Sequence, residues 1–235
     1  MTRKKNTGSR ALAKHQPPAL PVAHRMNGGD LPVQVDAIYH VRDVHPSNDG
    51  PWSKEADKIA WTDQMSGYAC IIRRSAQGGH LGGYVAVPPT HPLYGMQPYA
   101  FAGLGIGVHG GISYANECQR WEHETRSICH VAAEPPHADR DPLYANAAAQ
   151  REDDAWWLGF ECDQPGDVMP VFGYRNGRHG TLEGVNERTY KTEKFVYEEC
   201  VRLATQLKAV EEGRDAREAD PGPQATYYDP REIGR

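Results

Sequence analysis

The chain has 235 residues, of which 39 % are hydrophobic, and its 31 Asp and Glu outnumber its 26 Lys and Arg to give a formal net charge of −5. This length fits one domain or two small ones, and no run reaches the roughly 18–20 apolar residues that a membrane helix needs. The composition excludes an integral membrane protein, a coiled coil and a disulfide-dense toxin, and it disfavours a strongly basic nucleic-acid coat protein.

The two ends of the chain differ in composition from its middle. Residues 1–30 hold six Lys or Arg and a single Asp, and we predict a disordered basic arm there. A solvated tail is the preferred interpretation of this arm, and contact with nucleic acid or an acidic partner is the alternative. Residues 214–235 are charged and contain three prolines, which predicts a flexible tail. The folded part is then a single domain over residues 31–213.

The first predicted elements are strands. Apolar residues alternate with polar ones over Leu31–Val41, which predicts a strand with one buried face. Ser53 can cap a short helix that runs to about Ala60. Five short runs rich in aromatic or β-branched residues predict further strands: Tyr68–Arg73, Gly83–Val87, Ile128–Ala132, Ala155–Cys162 and Val168–Phe172. The glycines of Gln77–Gly79 predict a hairpin between the first two of these.

One long helical pattern lies near the end of the chain. Its apolar stripe recurs at intervals of three and four residues: Val196, Cys200, Leu203, Leu207 and Val210. Asn186 or Thr189 can start this helix and Gly213 can end it. Because no long helical pattern separates the strands, an antiparallel arrangement is favoured over a doubly wound parallel sheet. The predicted fold is therefore α+β, a mainly antiparallel sheet packed by one long C-terminal helix.

The segment Gly103–Tyr114 is unusually rich in glycine. Gly105, Gly107 and Gly110 match the spacing of a dinucleotide-binding motif, which works only at a turn from a strand into a helix. The residues after these glycines look extended rather than helical. We therefore favour glycines that permit bends or close backbone packing, with dinucleotide binding as the alternative.

His109, within this segment, is the centre of the predicted site. An imidazole can act as an acid, a base or a metal ligand near neutral pH. Cys118 lies nine residues further on and can act as a nucleophile or a ligand, while Asp167 or Glu161 can orient the ring. The alternative is a histidine satisfied by a neighbouring carbonyl, with Asp167 as a turn residue and Cys118 without a role in chemistry.

Four further residues are predicted to bind a ligand beside His109. Gly110 and Gly111 leave the imidazole poorly shielded and let a ligand approach the backbone. His91 and Tyr94 occur in a turn held extended by proline, and they can line the same pocket. The alternative is an ordered turn whose side chains fill the core.

The cysteines and histidines in the middle of the chain do not form a standard metal motif. The spacing from Cys118 through His123 to Cys129 and His130 fits no zinc template, and adjacent residues on a strand point to opposite faces. Zinc is the metal that these residue types favour, but no ligand set follows from the spacing. The odd count of five Cys, without a Cys-x-x-Cys pair, argues against a disulfide framework. With no segment that resembles a signal peptide, the expected compartment is the cytoplasm.

Several short motifs occur together along the chain. They are Glu55-x-Asp57-Lys58-x-x-Trp61-x-Asp63, Gly67-Tyr68-x-Cys70, Gly82-Gly83-Tyr84-Val85-x-Val87, His91-Pro92-Leu93-Tyr94-Gly95, His109-Gly110-Gly111-Ile112-x-Tyr114 and Trp157-Leu158-Gly159-Phe160-x-Cys162, with Gly166-Asp167. In combination they resemble a family of uncharacterised proteins of phages and of bacterial genomes that carry prophages. The resemblance spans about residues 52–207. It implies a phage or prophage setting, in the host cytoplasm, and no catalytic residue.

Two functions are compatible with this sequence. The first is a small-molecule or nucleotide hydrolase-like site, with His109 as the base, Cys118 as nucleophile or ligand, and Asp167 beside them. The second is a non-catalytic accessory protein that binds a host or phage macromolecule. The acidic body favours a protein over nucleic acid as that partner, because phosphate contacts need clustered Lys and Arg. The oligomeric state and the identity of any cofactor stay open.

Overall fold

The computed structural model describes residues 22–129, 154–172 and 188–219. Most of the predicted basic arm, the greater part of the predicted C-terminal tail and the end of the predicted strand Ile128–Ala132 lie outside these residues. Within them, no helix is long and apolar enough to cross a lipid bilayer.

The architecture is an antiparallel sheet with one long helix across it, which confirms the predicted α+β fold. A separate hairpin comes first, formed by β1 (Val22–Arg25) and β2 (Pro32–Val35). The strands of the main sheet are β3 (Ala37–Tyr39), β4 (Lys58–Thr62), β5 (Ala69–Arg74), β6 (Leu81–Val87), β7 (Tyr114–Glu117) and β8 (Trp156–Glu161). Their order across the sheet is β3-β4-β5-β6-β8-β7, and every neighbouring pair is antiparallel.

The helix α1 (Glu193–Glu211) starts later than the sequence predicts. Thr189 forms a β-bridge with Asp167 instead of a helix cap, and the Thr192 hydroxyl accepts the hydrogen bond from the Phe195 amide that caps α1. At the other end the predicted terminator is in place, since Gly213 has a φ of 75°. The apolar stripe is buried against β5 and β6, and each such side chain contributes about 1.5–3 kcal/mol before conformational entropy is subtracted.

The strands β5, β6 and β8 and the hairpin between β5 and β6 lie close to their predicted positions. The predicted strand over 31–41 is broken at Asp36 into β2 and β3, which pair with different partners. The predicted disorder over residues 1–30 is wrong at its end, because Val22–Arg25 pair with Pro32–Val35. Residues 22–30 therefore belong to the folded part.

Two predicted elements are wrong. The predicted helix after Ser53 is a short 3₁₀ helix, Pro51–Lys54, followed by β4. β4 pairs with β3 on one side and with β5 on the other, and its residues Lys58–Trp61 are all buried. Because both faces of the strand are covered, its sequence does not alternate between apolar and polar residues. The predicted strand Val168–Phe172 contains only a 3₁₀ turn, Pro170–Phe172.

Close packing between α1 and the sheet depends on a glycine in β6. A Cβ atom on Gly83 would lie 2.6 Å from the Cys200 sulfur and 2.6 Å from the Phe160 ring. Both of these side chains are fully buried, so neither can move aside without disturbing the core. Gly83 therefore sets how closely the helix approaches the sheet.

We expect Gly83→Ala to lower the free energy of unfolding by about 1–3 kcal/mol, because the added methyl group overpacks the core. Urea denaturation followed by circular dichroism measures this change. Gly103→Ala is the matched control: it has open space around its Cβ position, and its free energy should stay within about 0.5 kcal/mol of the parent. Equal stabilities for the two variants would contradict the role given to Gly83.

Candidate functional site

The glycine-rich segment lies along α1 and is held there by side chains of that helix. The Gln206 amide accepts from the Gly107 main-chain N–H at 2.7 Å and donates to the Gly107 carbonyl at 3.0 Å. The Glu199 carboxylate accepts from the His109 main-chain N–H at 2.8 Å. The chain then continues into the strand β7 and not into a helix, so this segment is not a dinucleotide-binding turn.

The structure brings His109 together with Asp167, one of the two partners that the sequence left open, whereas Glu161 contacts His80 and Tyr84. His109 Nε2 lies 2.7 Å from Asp167 Oδ2, and the imidazole packs edge-on against the Phe195 ring. Asp167 is buried, and it also contacts the Lys191 ammonium at 3.4 Å and the Gln164 main-chain N–H at 3.0 Å. The pair therefore ties the glycine-rich segment to α1 and to the turn before Asp167.

The two glycines after His109 both have the positive φ that the predicted bends require, 69° at Gly110 and 84° at Gly111. A Cβ on Gly110 would lie 2.4 Å from the Gln164 amide nitrogen, so this glycine serves close packing. The space around Gly111 is open. The role in ligand binding predicted for them stays a prediction.

His91 and Tyr94 do not join His109. The His91 imidazole is buried, with Nδ1 accepting from the Leu93 N–H at 3.1 Å and Nε2 lying 2.9 Å from the Leu207 carbonyl. Both ring nitrogens are thus engaged with the main chain. Tyr94 packs its ring against Trp156. The alternative of an ordered turn that fills the core fits both residues better than a shared pocket does.

Cys118 is not available as a nucleophile or a metal ligand, because it forms a disulfide with Cys129. This single bond is not a disulfide framework, but the sequence did not predict it. Cys118 belongs to the hydrophobic cluster on the sheet face opposite α1, whereas His109 packs against α1. Among the described residues, no group of three or more His, Cys, Asp and Glu has the arrangement of a metal site. The described geometry thus offers no place for the zinc that the residue types favoured.

The other three cysteines are buried: Cys70, Cys162 and Cys200. Burial raises the pKa of each of these thiols well above its usual range, so they stay protonated and unreactive.

Thiol titration tests the disulfide. Protein unfolded without reductant should show three free thiols, and reduction should raise this to the five of the sequence. The double variant Cys118→Ser/Cys129→Ser should show three thiols in both conditions and should lose about 2–4 kcal/mol of stability, because the cross-link no longer restricts the unfolded chain. Five thiols before reduction would contradict the disulfide.

The described residues hold three further histidine–carboxylate pairs: His24–Glu193, His80–Glu161 and His45–Asp57. The last of these lies in a cleft formed by the connection between β3 and β4. The cleft has a volume of about 460 Å³, and we name it the His45 cleft. Its polar lining residues are His40, Arg42, His45, Ser47, Ser53, Lys54 and Asp57. Trp52 fixes this connection to the core, because its side chain is fully buried and packs edge-on against the Tyr190 ring.

His45 and Asp57 form a hydrogen-bonded dyad in this cleft. His45 Nδ1 lies 2.8 Å from Asp57 Oδ1, and the second carboxylate oxygen accepts from the Val41 N–H at 2.6 Å. The Asp57 side chain is 1 % exposed and the His45 side chain is 24 % exposed. Because an ionised carboxylate can only accept, we assign the proton to Nδ1. Nε2, at the tip of the ring, has no partner among the described residues.

Asp57 is held in place by a buried guanidinium. Arg74 Nε donates to Asp57 Oδ1 at 2.7 Å, and Arg74 Nη2 donates to Glu55 Oε2 at 3.0 Å. The Tyr190 hydroxyl also donates to Glu55, and Asn27 donates to it at 2.9 Å. Burial raises the pKa of the Glu55 carboxyl, and the adjacent Arg74 opposes this rise. The carboxylate that orients His45 is thus part of a network that is closed to solvent.

Arg74→Met should lower the free energy of unfolding by about 3–5 kcal/mol, since it leaves Glu55 and Asp57 buried without their cation. Chemical denaturation measures this loss. Arg214→Met is the matched control, because Arg214 is exposed and its ion pair with Glu212 contributes no more than about 1 kcal/mol. A similar small change in both variants would show that the buried network contributes little to stability.

The His109–Asp167 and His45–Asp57 pairs use different ring nitrogens for the contact with the carboxylate. His109 contacts its carboxylate through Nε2, which leaves Nδ1, the nitrogen beside its own main chain. His45 contacts its carboxylate through Nδ1, which leaves the ring tip to a ligand. A ring tip that lines a cleft can reach a substrate more readily, so the His45 cleft is the better candidate site.

Sequence reasoning missed His45 as a site residue. Glu55 and Asp57 stand in one of the motifs quoted above, but nothing in their spacing linked them to a histidine. One signal could have pointed to it. Glu55 and Asp57 stand directly before the apolar stretch of β4, and a carboxylate that is buried with such a stretch needs a cationic or hydrogen-bonding partner.

Comparisons of the chain with protein-family models, with curated proteins and with solved structures give no match. The candidate function therefore has to be argued from the geometry of the site.

Proposed function

We propose that this protein is a small-molecule hydrolase in which His45 is the general base. The observation that carries the proposal is the hydrogen bond from His45 Nδ1 to the buried Asp57 carboxylate, in a histidine that lines the His45 cleft and whose Nε2 has no hydrogen-bond partner among the described residues. A cleft of this volume falls in the range of small-molecule sites. The class of reaction agrees with the first function considered from the sequence, although the site has moved from His109 to His45.

In the proposed reaction, His45 Nε2 takes a proton from a water molecule bound in the cleft. The water oxygen then forms a bond with the electrophilic carbon or phosphorus of an ester, and the bond to the leaving oxygen breaks. Nε2 returns the proton to that leaving oxygen, so the products are an acid and an alcohol. Asp57 is a positioning residue: it fixes the tautomer of His45 and stabilises the transient imidazolium.

The phage setting and the cytoplasmic location stay predictions. The disulfide bears on the second of these, because such bonds are rare in a reducing cytoplasm. The alternative function is a non-catalytic accessory protein that binds a macromolecule. It predicts a stable complex in a pull-down experiment, and substitution of His109 or His45 should not weaken that complex.

We expect His45→Gln to lower kcat/KM about 10²–10⁴-fold, the usual contribution of a general base. The assay follows release of p-nitrophenol from p-nitrophenyl acetate and from p-nitrophenyl phosphate. His123→Gln is the matched control, since His123 is exposed on a loop away from both dyads, and its kcat/KM should stay within about twofold of the parent.

Loss of activity in His109→Gln but not in His45→Gln would place the site at the other dyad. A parent protein that hydrolyses neither ester would contradict the hydrolase assignment.

A further inference from the structure

The exposed charged side chains that line the His45 cleft are both cationic. Arg42 and Lys54 both line it, and neither pairs with a carboxylate among the described residues. The single acidic group of the lining, Asp57, is buried, and it shares the Arg74 guanidinium with Glu55. His40 adds a second imidazole to that of His45. A chain of net charge −5 thus presents a locally cationic cleft.

The main chain on either side of the cleft is fixed, so these cations do not lie on free loops. The Val41 N–H, directly before Arg42, donates to the buried Asp57 carboxylate. The Gly50 N–H donates to the Ser53 hydroxyl at 2.9 Å, which closes the turn that ends at Lys54. The two cations therefore come from opposite ends of the connection to one cleft.

We infer that the His45 cleft binds a phosphate group, so that the substrate is a phosphorylated small molecule. Two positive charges from side chains that line one cleft match a dianion, whereas a monocarboxylate would leave one of them unneutralised. Arg and Lys are the side chains that bind phosphate oxygens most often, Arg through paired N–H groups and Lys as a point charge. The nearby acidic residues Asp43 and Asp49 are exposed and do not line the cleft.

This inference rests on the proposed function for its claim that the cleft is the substrate site. Phosphate in the cleft would place its ester bond beside His45 Nε2, since Arg42, Lys54 and His45 line the same space. Binding itself does not need turnover, so the two claims can fail separately.

The test is isothermal titration of the full chain with inorganic phosphate, with phenyl phosphate and with acetate. Phosphate and phenyl phosphate should bind and acetate should not. The double variant Arg42→Gln/Lys54→Gln should weaken phosphate binding about tenfold or more, and Arg214→Gln, which removes an exposed charge elsewhere, should leave it unchanged. Phenyl phosphate that binds no better than inorganic phosphate would contradict an esterified phosphate as the natural ligand.

Three further results overturn the inference: no binding at millimolar phosphate, equal binding of acetate, or an unchanged affinity in the double variant. His45→Gln separates the two proposals. If it loses ester hydrolysis while phosphate still binds, both stand. If hydrolysis of p-nitrophenyl acetate depends on His45 but phosphate does not bind, the hydrolase stands and the phosphate ligand does not. If phosphate binds but the parent protein hydrolyses neither ester, the phosphate ligand stands and the hydrolase does not.

Discussion

A buried guanidinium at the end of β5 joins parts of the chain that are far apart in sequence. Arg74 donates to the carboxylates of Glu55 and Asp57, to the Gly79 carbonyl in the hairpin turn and to the Tyr190 hydroxyl before α1. None of its charge is exposed to solvent. Taking an arginine and two carboxylates out of water is costly, and it is tolerated here because nearly every donor and acceptor has a partner. The position of Asp57, and through it the tautomer of His45, depends on this network.

The same network also orients the start of α1 and the first hairpin. Glu55 Oε1 accepts from the Glu193 N–H and from the Asn27 side chain, while the Glu193 carboxylate accepts from the Ala56 and Asn27 N–H groups. Each of the two buried carboxylates, Glu55 and Glu193, therefore accepts hydrogen bonds from N–H groups of the segment that carries the other, and both accept from Asn27. The arrangement fixes where the helix begins, while the apolar stripe fixes how it lies on the sheet.

The elements that the sequence predicts correctly are those with a local pattern of apolar and polar residues. The stripe of α1 and the strands β5, β6 and β8 carry signals within a few neighbouring residues, and they were found. β4 was not, because burial on both faces removes alternation, and Glu55 and Asp57 before it resemble ordinary surface residues. The contact between His109 and Asp167 was anticipated on chemical grounds across 58 positions.

The His45–Asp57 dyad and the Cys118–Cys129 bond could not be found in the same way. Which carboxylate meets which histidine depends on how Arg74 is buried, a feature of the whole fold. Five cysteines allow ten different single pairings, and the chain contains no spacing motif that selects one of them.

The walls of the His45 cleft all belong to one stretch of chain, from His40 to Asp57. Sequence changes at Arg42, Ser47 or Lys54 would alter the lining without reaching the core between the sheet and α1, since these three side chains are exposed. Ligand choice at the proposed site can therefore diversify by exchange of these exposed residues, while Trp52, Glu55 and Asp57 of the same stretch stay in the buried network that stabilises the fold.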